Sequence, residues 1–312
     1  MAKVSIIIAT RNRPHLLGRA VESAQAAGKD VEVVVVDDGS VDKTAEVCSS
    51  LSNILPVRVE RNQGVAGARN IGILASTGEY ITFLDDDDLR LPNSLELQVQ
   101  ALDSDSQSGL VYGQALQADV NGAITSRVVP QYCPDGDVFW ELLERNFMPC
   151  GSVVFRRSCL SKVGLLDHAI AGIDDWDLWI RIAEFYPVQA VKQPVIVYRQ
   201  SQPASGQGTS DAAKIVRMST QQFQAWINAP RAAEAPAGMR AAATRQFSQN
   251  LAAHLTLDMG RAFAKGKVVH AAKDLGCLLR SHPGGFMRMI QRRAASELFS
   301  PRESTMGGAE GH

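Results

Sequence analysis

The sequence predicts an α/β fold: a mostly parallel mixed sheet flanked by helices, with a helical C-terminal region. Three observations carry that expectation. Short β-branched runs alternate with longer amphipathic stretches through the front half. The runs are almost continuous in Val and Ile, as strands covered on both faces require. Beyond residue 211 the chain turns to Ala-rich helical patterns.

Each element follows from local sequence. Val4 to Ala9 is a buried-type strand, and Pro14 opens the helix after it. Val31 to Val36 is the second strand, followed by a helix from about Val41. Pro56 to Glu60 predicts a third strand, Val65 to Ala75 a helix, and Tyr80 to Leu84 a fourth strand ending in acid. A helix starts near Pro92, Gly109 to Ala118 and Ser152 to Phe155 read as strands, and Ile173 to Phe185 is a helix with an acidic first turn. Val188 to Val191 and Val195 to Tyr198 close the sheet region. Gln200 to Asp211 is rich in Gln, Ser and Gly without apolar periodicity, which predicts a loop or flap. Helices are predicted over Ala212 to Ala229, Pro236 to Ala264, Lys267 to Arg280 and Phe286 to Leu298. The expected organisation is a sheet domain over 1–210, a helical region over 211–300 and a flexible tail over 301–312.

Composition narrows the function classes. With 312 residues, 45% hydrophobic and 21% charged, the chain is neither collagen-like nor disordered, and no uncharged apolar run suffices for a spanning helix. The apolar run at Val4 to Ala9 is too short for a signal-peptide core, so a cytoplasmic location is expected. Cys48, Cys133, Cys150, Cys159 and Cys277 are scattered without a C-x-x-C pair, as reduced, buried packing residues are. The net charge of −1 conceals a split: 18 Lys and Arg against 26 Asp and Glu through residue 210, then 14 against 7. An acidic front half argues against a nucleic-acid partner.

Polar clusters follow three strands: Thr10-Arg11-Asn12-Arg13, Asp37-Asp38-Gly39-Ser40 and Asp85-Asp86-Asp87-Asp88. In parallel sheets ligands bind beyond the carboxyl ends of strands, so chemistry is expected along that edge. Four adjacent carboxylates repel one another unless a cation sits among them, and Mg²⁺ or Mn²⁺ held by one or two carboxylates plus substrate phosphates answers this. The same run also reads as a solvated acidic turn. Asp37 and Asp38 suit a base or ribose contact, or a turn with a helix cap. The segment Asn62 to Asn70 is a glycine-bearing loop into a helix carrying Arg69 and Asn70, without the dinucleotide spacing. Asp174 and Asp175 open a helix whose dipole favours ionised carboxylates, suiting either a general base or a cap. Trp176 beside them reads as packing or as a sugar-stacking ring.

Taken together, these segments resemble the family 2 inverting glycosyltransferases of the GT-A fold. The resemblance rests on Val4 to Arg13, Val35 to Asp42, Asn62-x-Gly64 with Ala68-Arg69-Asn70-x-Gly72, Gly78 to Asp88, and Asp174 to Arg181. It implies a nucleotide-diphospho-sugar donor pocket lined by Thr10, Arg11, Arg13, Asp37, Asp38, Arg69 and Asn70, with Asp85 and Asp86 approaching ribose and sugar. It further implies a divalent cation (Mn²⁺ or Mg²⁺) on Asp87 and Asp175 as catalytic base, with Asp174 in place of the family's Glu. Many members place a His after Tyr-Arg-x near the last strand, whereas this chain has Ser201. The implied acceptor is a glycan or lipid-linked hydroxyl in cell-surface polysaccharide synthesis. Alternatives are a nucleotidyltransferase, which usually shows a Gly-rich basic loop after the first strand, and a non-catalytic scaffold on the same fold. The basic C-terminal region, with Arg288, Arg292 and Arg293 among apolar residues, reads as a peripheral contact on the inner membrane face, a homodimer contact or an ordinary subdomain.

Overall fold

The computed structural model describes residues 2–170, 172–200, 211–281 and 284. Its strands are β1 (Val4–Thr10), β2 (Val31–Asp38), β3 (Leu55–Val59), β4 (Tyr80–Phe83), β5 (Leu89–Arg90), β6 (Leu110–Ala118), β7 (Ile124–Val129), β8 (Val153–Arg156) and β9 (Val188–Arg199). The helices of the front half are α1 (Pro14–Gln25), α2 (Thr44–Ser50), α3 (Gly64–Ala75), α4 (Ser94–Ser104), α5 (Phe139–Glu144), α6 (Leu160–Val163) and α7 (Asp174–Ala183). Those that follow are α8 (Ala212–Trp226), α9 (Pro230–Glu234), α10 (Ala237–Ala264) and α11 (Val268–Ser281). The chain forms two compact units dividing between Ala243 and Thr244.

In the first unit the strands form one sheet in the order β3-β2-β1-β4-β8-β6-β9-β5, with β7 paired to β6. β3, β2, β1 and β4 run parallel, β8 is antiparallel to β4 and β6, and β9 is parallel to β6. This is the mostly parallel mixed sheet expected from the β-α alternation. One face carries Ile6, Ile8, Val33, Val35 and Tyr80, packed with Leu17, Val21 and Ala24 of α1 and Leu95 and Leu102 of α4. On the other face α3 lies so close that a Cβ on Gly72 would come within 2.3 Å of Ile7 Cγ2, an approach only glycine permits. The rings of Phe83, Phe155 and Trp179, at centroid separations of 5.6 to 6.3 Å, dock α7 there too. Two helix starts are thereby brought beside the carboxyl end of β4.

Several elements differ from expectation. Val188 to Val191 and Val195 to Tyr198 belong to the single strand β9, which passes Pro194 through a register shift against β6. β5, β7 and α5 have no counterpart in the sequence reading, and the helix expected from about Val41 begins at Thr44. The five cysteines are free, but Cys150 is half-buried rather than buried. The division between units falls beyond 210/211 because α8 and α9 pack into the first unit. Trp226 Nε1 and Gln222 Nε2 both donate to Asp177 Oδ1, at 2.8 and 3.1 Å, and Arg231 pairs with Asp137.

The second unit pairs the C-terminal part of α10 with α11. Phe247, Leu251, Leu255, Ala271 and Leu278 are buried, and His270 Nε2 lies 2.9 Å from Asp258 and 3.5 Å from Asp274. No described helix is long and apolar enough to cross a membrane. Residues 201–210 of the expected flap, including Ser201, the helix expected from Phe286 and the expected tail lie outside the described residues.

Candidate active site

Strand register assembles one side of the site. Thr10 is the in-register neighbour of Asp37, and Asp37 of Arg58, so three strand ends meet. Asp37 accepts hydrogen bonds from the Ser40 amide and from Arg58 Nη1, both at 3.0 Å. Asp38 accepts from the Gln63 amide at 2.7 Å, fixing the loop into α3. Asn12, at a positive φ of 54°, donates its amide to Ser40 Oγ and accepts from the Val41 amide through its side chain. The loops after β1 and β2 are thus tied together, with Arg11 exposed at their edge.

The acidic run occupies the next strand end. Asp86 accepts from Thr10 Oγ1 and Arg13 Nη1, both at 2.7 Å, and Arg13 lies 3.6 Å from Asp87. Burial nevertheless raises the Asp86 carboxyl above its ordinary range. Asp87 is pushed up to about 7 by burial first and then by the charges of Asp85 and Asp86, against the pull of Arg13. Asp88 is buried and raised by that burial, and accepts from the Arg199 amide at 2.8 Å. Beneath the run, buried Arg90 donates to Gln98 at 2.6 Å and Thr82 at 2.7 Å, and Gln98 donates to the Ser152 carbonyl. With neutral partners at those distances, Arg90 is pushed down to about 9 by burial. It is a brace holding the end of the run to α4.

The acidic helix start completes the site. Asp174 is buried and accepts from the Gly172 amide at 2.9 Å. Asp175 is half-buried and accepts from the Trp176 amide at 2.7 Å. Burial and then the Asp174 charge push Asp175 up to about 7, with Arg69 opposing. Arg69, only 5% exposed, joins the two halves: Nη2 donates to Asp85 at 2.7 Å and Nη1 to Asp174 at 3.0 Å. Its guanidinium also lies 5.1 Å over the Phe83 ring.

Two bonded groups therefore adjoin along the acidic run: Thr10 and Arg13 hold Asp86, with Asp87 paired to Arg13, while Arg69 bonds Asp85 and Asp174, the chain neighbour of Asp175. Asp37 and Asp38 shape the adjoining loop. Asn70 does not join them through its amide, which donates to and accepts from the Leu166 backbone and so anchors α3 to the chain before α7. Trp176 is a packing residue, its Nε1 donating to Leu142 and its ring 4.8 Å from that of Trp226. Sequence reasoning missed Arg58 and Arg90, gave Asn12 no role of its own within the cluster after the first strand, and read Cys150 only as a packing residue. Burial pushes up the Cys150 thiol while neighbouring Arg69 opposes it. Only Arg58 had a legible signal, its position opposite Asp37 on the next strand.

The acidic run fits a hard divalent cation. Its donors are carboxylate oxygens, and three of its acids are raised by burial, a cost that a bound cation would relieve. Among the described residues the sole trio of potential ligand atoms gathered within 4.8 Å is Asp258, His270 and Asp274, so the run offers one or two oxygens to any one ion. That suits Mg²⁺ or Mn²⁺, which take one or two carboxylates and complete their shell with water and substrate phosphate.

Parallel strands whose carboxyl ends gather acids along one edge, continued by antiparallel strands, form the GT-A glycosyltransferase fold. The sequence profile described as Glycosyl transferase family 2 matches residues 5–164, just over half of the chain, and the chain belongs to that family. It is 30% identical over 191 residues to an uncharacterized glycosyltransferase of Nostoc sp., covering 57% of this chain and 56% of the relative. It is 32% identical over 195 residues to one of Rickettsia typhi, covering 59% of this chain and 60% of the relative. The chain thus spans little more than half the length of these relatives. Among solved structures it is similar to residues 1–349 of S. aureus TarS in complex with UDP-GlcNAc, with TM-score 0.61, 15% identity, and coverage of 90% of this chain and 82% of that one. It is also similar to the mannosyltransferase PcManGT of Pyrobaculum calidifontis in complex with GDP-Man and Mn²⁺, with TM-score 0.58, 19% identity, and coverage of 96% and 81%.

Proposed function

We propose that the chain is an inverting glycosyltransferase that moves a hexosyl group from a nucleotide-diphospho-sugar to a hydroxyl of a glycan or lipid-linked acceptor. Cell-surface polysaccharide synthesis on the cytoplasmic side of the membrane is the setting this reading favours. One observation carries it: a half-buried carboxyl, Asp175, is poised near 7 at a helix start and linked through Asp174 and Arg69 to the acidic run. A general base for a hydroxyl works best with a pKa near the operating pH.

In this reading Thr10, Arg11, Arg13, Asp37 and Asp38 line the nucleotide pocket, and Asp85 and Asp86 face ribose and sugar. Asp87 would hold the divalent cation, which when bound neutralises charge developing on the departing diphosphate. Arg69 pairs with both Asp85 and Asp174 and so fixes the turn that presents Asp175. Asp175 takes the acceptor proton as the hydroxyl attacks the anomeric carbon from the face opposite the diphosphate, which inverts that centre. Asn70 acts by positioning, through its hold on Leu166. The UDP-GlcNAc and GDP-Man bound to the two structural neighbours support a donor of this class.

The test is a melting-temperature panel with UDP-, dTDP-, GDP- and CMP-sugars, each with Mn²⁺, Mg²⁺ or EDTA. A ligand that binds only the native state raises the melting temperature by mass action. One nucleotide class should do so, and only with metal. Absence of any metal-dependent response across the panel contradicts the proposal.

A further inference from the structure

The turn between α10 and α11 presents an unusual surface. Phe263 is 70% exposed on the last turn of α10, and Val268 and Val269 are 62% and 86% exposed on the first turn of α11. Lys265-Gly266-Lys267 joins them, with Gly266 at a φ of +69°, the left-handed conformation that lets the chain reverse without strain. Three large apolar side chains thus flank a tight lysine-bearing turn, where loop tips are ordinarily polar.

Charge is equally one-sided. From Met259 to Lys273 the sequence holds Arg261, Lys265, Lys267 and Lys273 and no Asp or Glu. The bounding acids, Asp258 and Asp274, both face His270, and Asp274 is fully buried. Arg261, Lys265 and Lys267 are exposed. Exposed cations beside exposed apolar side chains at one turn are complementary to a surface that is anionic outside and apolar within. An anionic bilayer is such a surface: headgroups attract the lysines, and the acyl boundary accepts the apolar side chains.

We infer that the α10–α11 turn is a membrane-docking tip, inserting Phe263, Val268 and Val269 among anionic lipids while Arg261, Lys265 and Lys267 bind the headgroups. This differs from the basic tail at Arg288 to Arg293, and it does not depend on the donor chemistry proposed above. It would hold the enzyme at a surface where lipid-linked acceptors lie.

The experiment is cosedimentation of the full-length chain with phosphatidylcholine vesicles, with and without 30% phosphatidylglycerol, at low and high salt. The parent is expected to bind the anionic vesicles alone, and more weakly at high salt. F263S/V269S should weaken that binding at least tenfold, and K265E/K267E by at least the roughly fivefold expected per lysine near an anionic surface. All four positions are exposed, so circular dichroism and donor-induced melting shifts should match the parent. No binding by the parent overturns the proposal, as does binding by both variants equal to the parent, which would place the contact elsewhere. Sedimentation velocity adds a further arm: if F263S/V269S converts a dimer to a monomer with vesicle binding unchanged, the tip is a subunit contact and the proposal fails.

Discussion

Replacing Asp174 by Asn removes one negative charge beside Asp175 while keeping the side chain's size and an acceptor oxygen. Asp175 stands at about 7 against an ordinary 3.8, through burial first, then Asp174, with Arg69 opposing. Two like charges on the order of 5 Å apart at an effective dielectric of ~20 repel by roughly 3 kcal/mol, equivalent to about two pH units. Asp175 is half-buried, and solvent reduces this to about one. If Asp175 is the base proposed above, its ionised carboxylate is the active form and kcat/KM rises as pH passes upward through this pKa. In Asp174→Asn that limb should move from about 7 to about 6, with a severalfold lower plateau because the base is weaker. The assay is nucleoside diphosphate release from pH 5 to 9. A limb unmoved or displaced upward refutes the assigned cause.

Three further outcomes are expected. Asp87 carries a folded-state pKa raised to about 7 from 3.8, so it destabilises the ion-free protein once ionised. Asp87→Asn in EDTA should therefore raise the melting temperature at pH 8, with a ceiling of about 4 kcal/mol. That gain should shrink as pH falls below about 7 and vanish only below 3.8, where the carboxyl is protonated folded and unfolded alike; a pH-independent gain counts against the mechanism. Gly72→Ala forces a methyl to within 2.3 Å of Ile7 Cγ2 and should cost about 1–3 kcal/mol in urea unfolding, whereas an unchanged midpoint would mean that α3 is free to retreat from the sheet. Trp226→Phe deletes the 2.8 Å donor to Asp177 and should cost about 1–3 kcal/mol by chemical denaturation, with turnover per folded molecule retained. A large loss of turnover at unchanged stability would assign Trp226 to the site itself.

The strands that seat the site were legible because β1, β2 and β4 are largely buried and built mostly of Val, Ile and aromatic residues. β7, Ile124–Val129, has no buried residue and its apolar residues are interrupted by Thr-Ser-Arg, leaving a weak signal, and α5 has only six residues. β9 read as two strands because Lys-Gln-Pro interrupts its apolar pattern, although backbone pairing with β6 resumes beyond the interruption. The motifs were visible in order, yet their connection was not. Arg69 meets Asp174 across 105 positions of sequence, a contact created by α3 and α7 sharing one sheet face. Asn70 shows the converse: it adjoins Arg69 in sequence, but one step along a helix turns its amide to Leu166.

The central claim is that Asp175 is the base of a transfer reaction and not a determinant of donor binding. The most direct test compares parent and Asp175→Asn by calorimetry for the donor found in the panel, alongside product release with Mn²⁺ present. The account predicts donor affinity within about twofold of the parent and turnover reduced by about 10² to 10⁴. Turnover close to the parent's, at matched donor affinity, would contradict it.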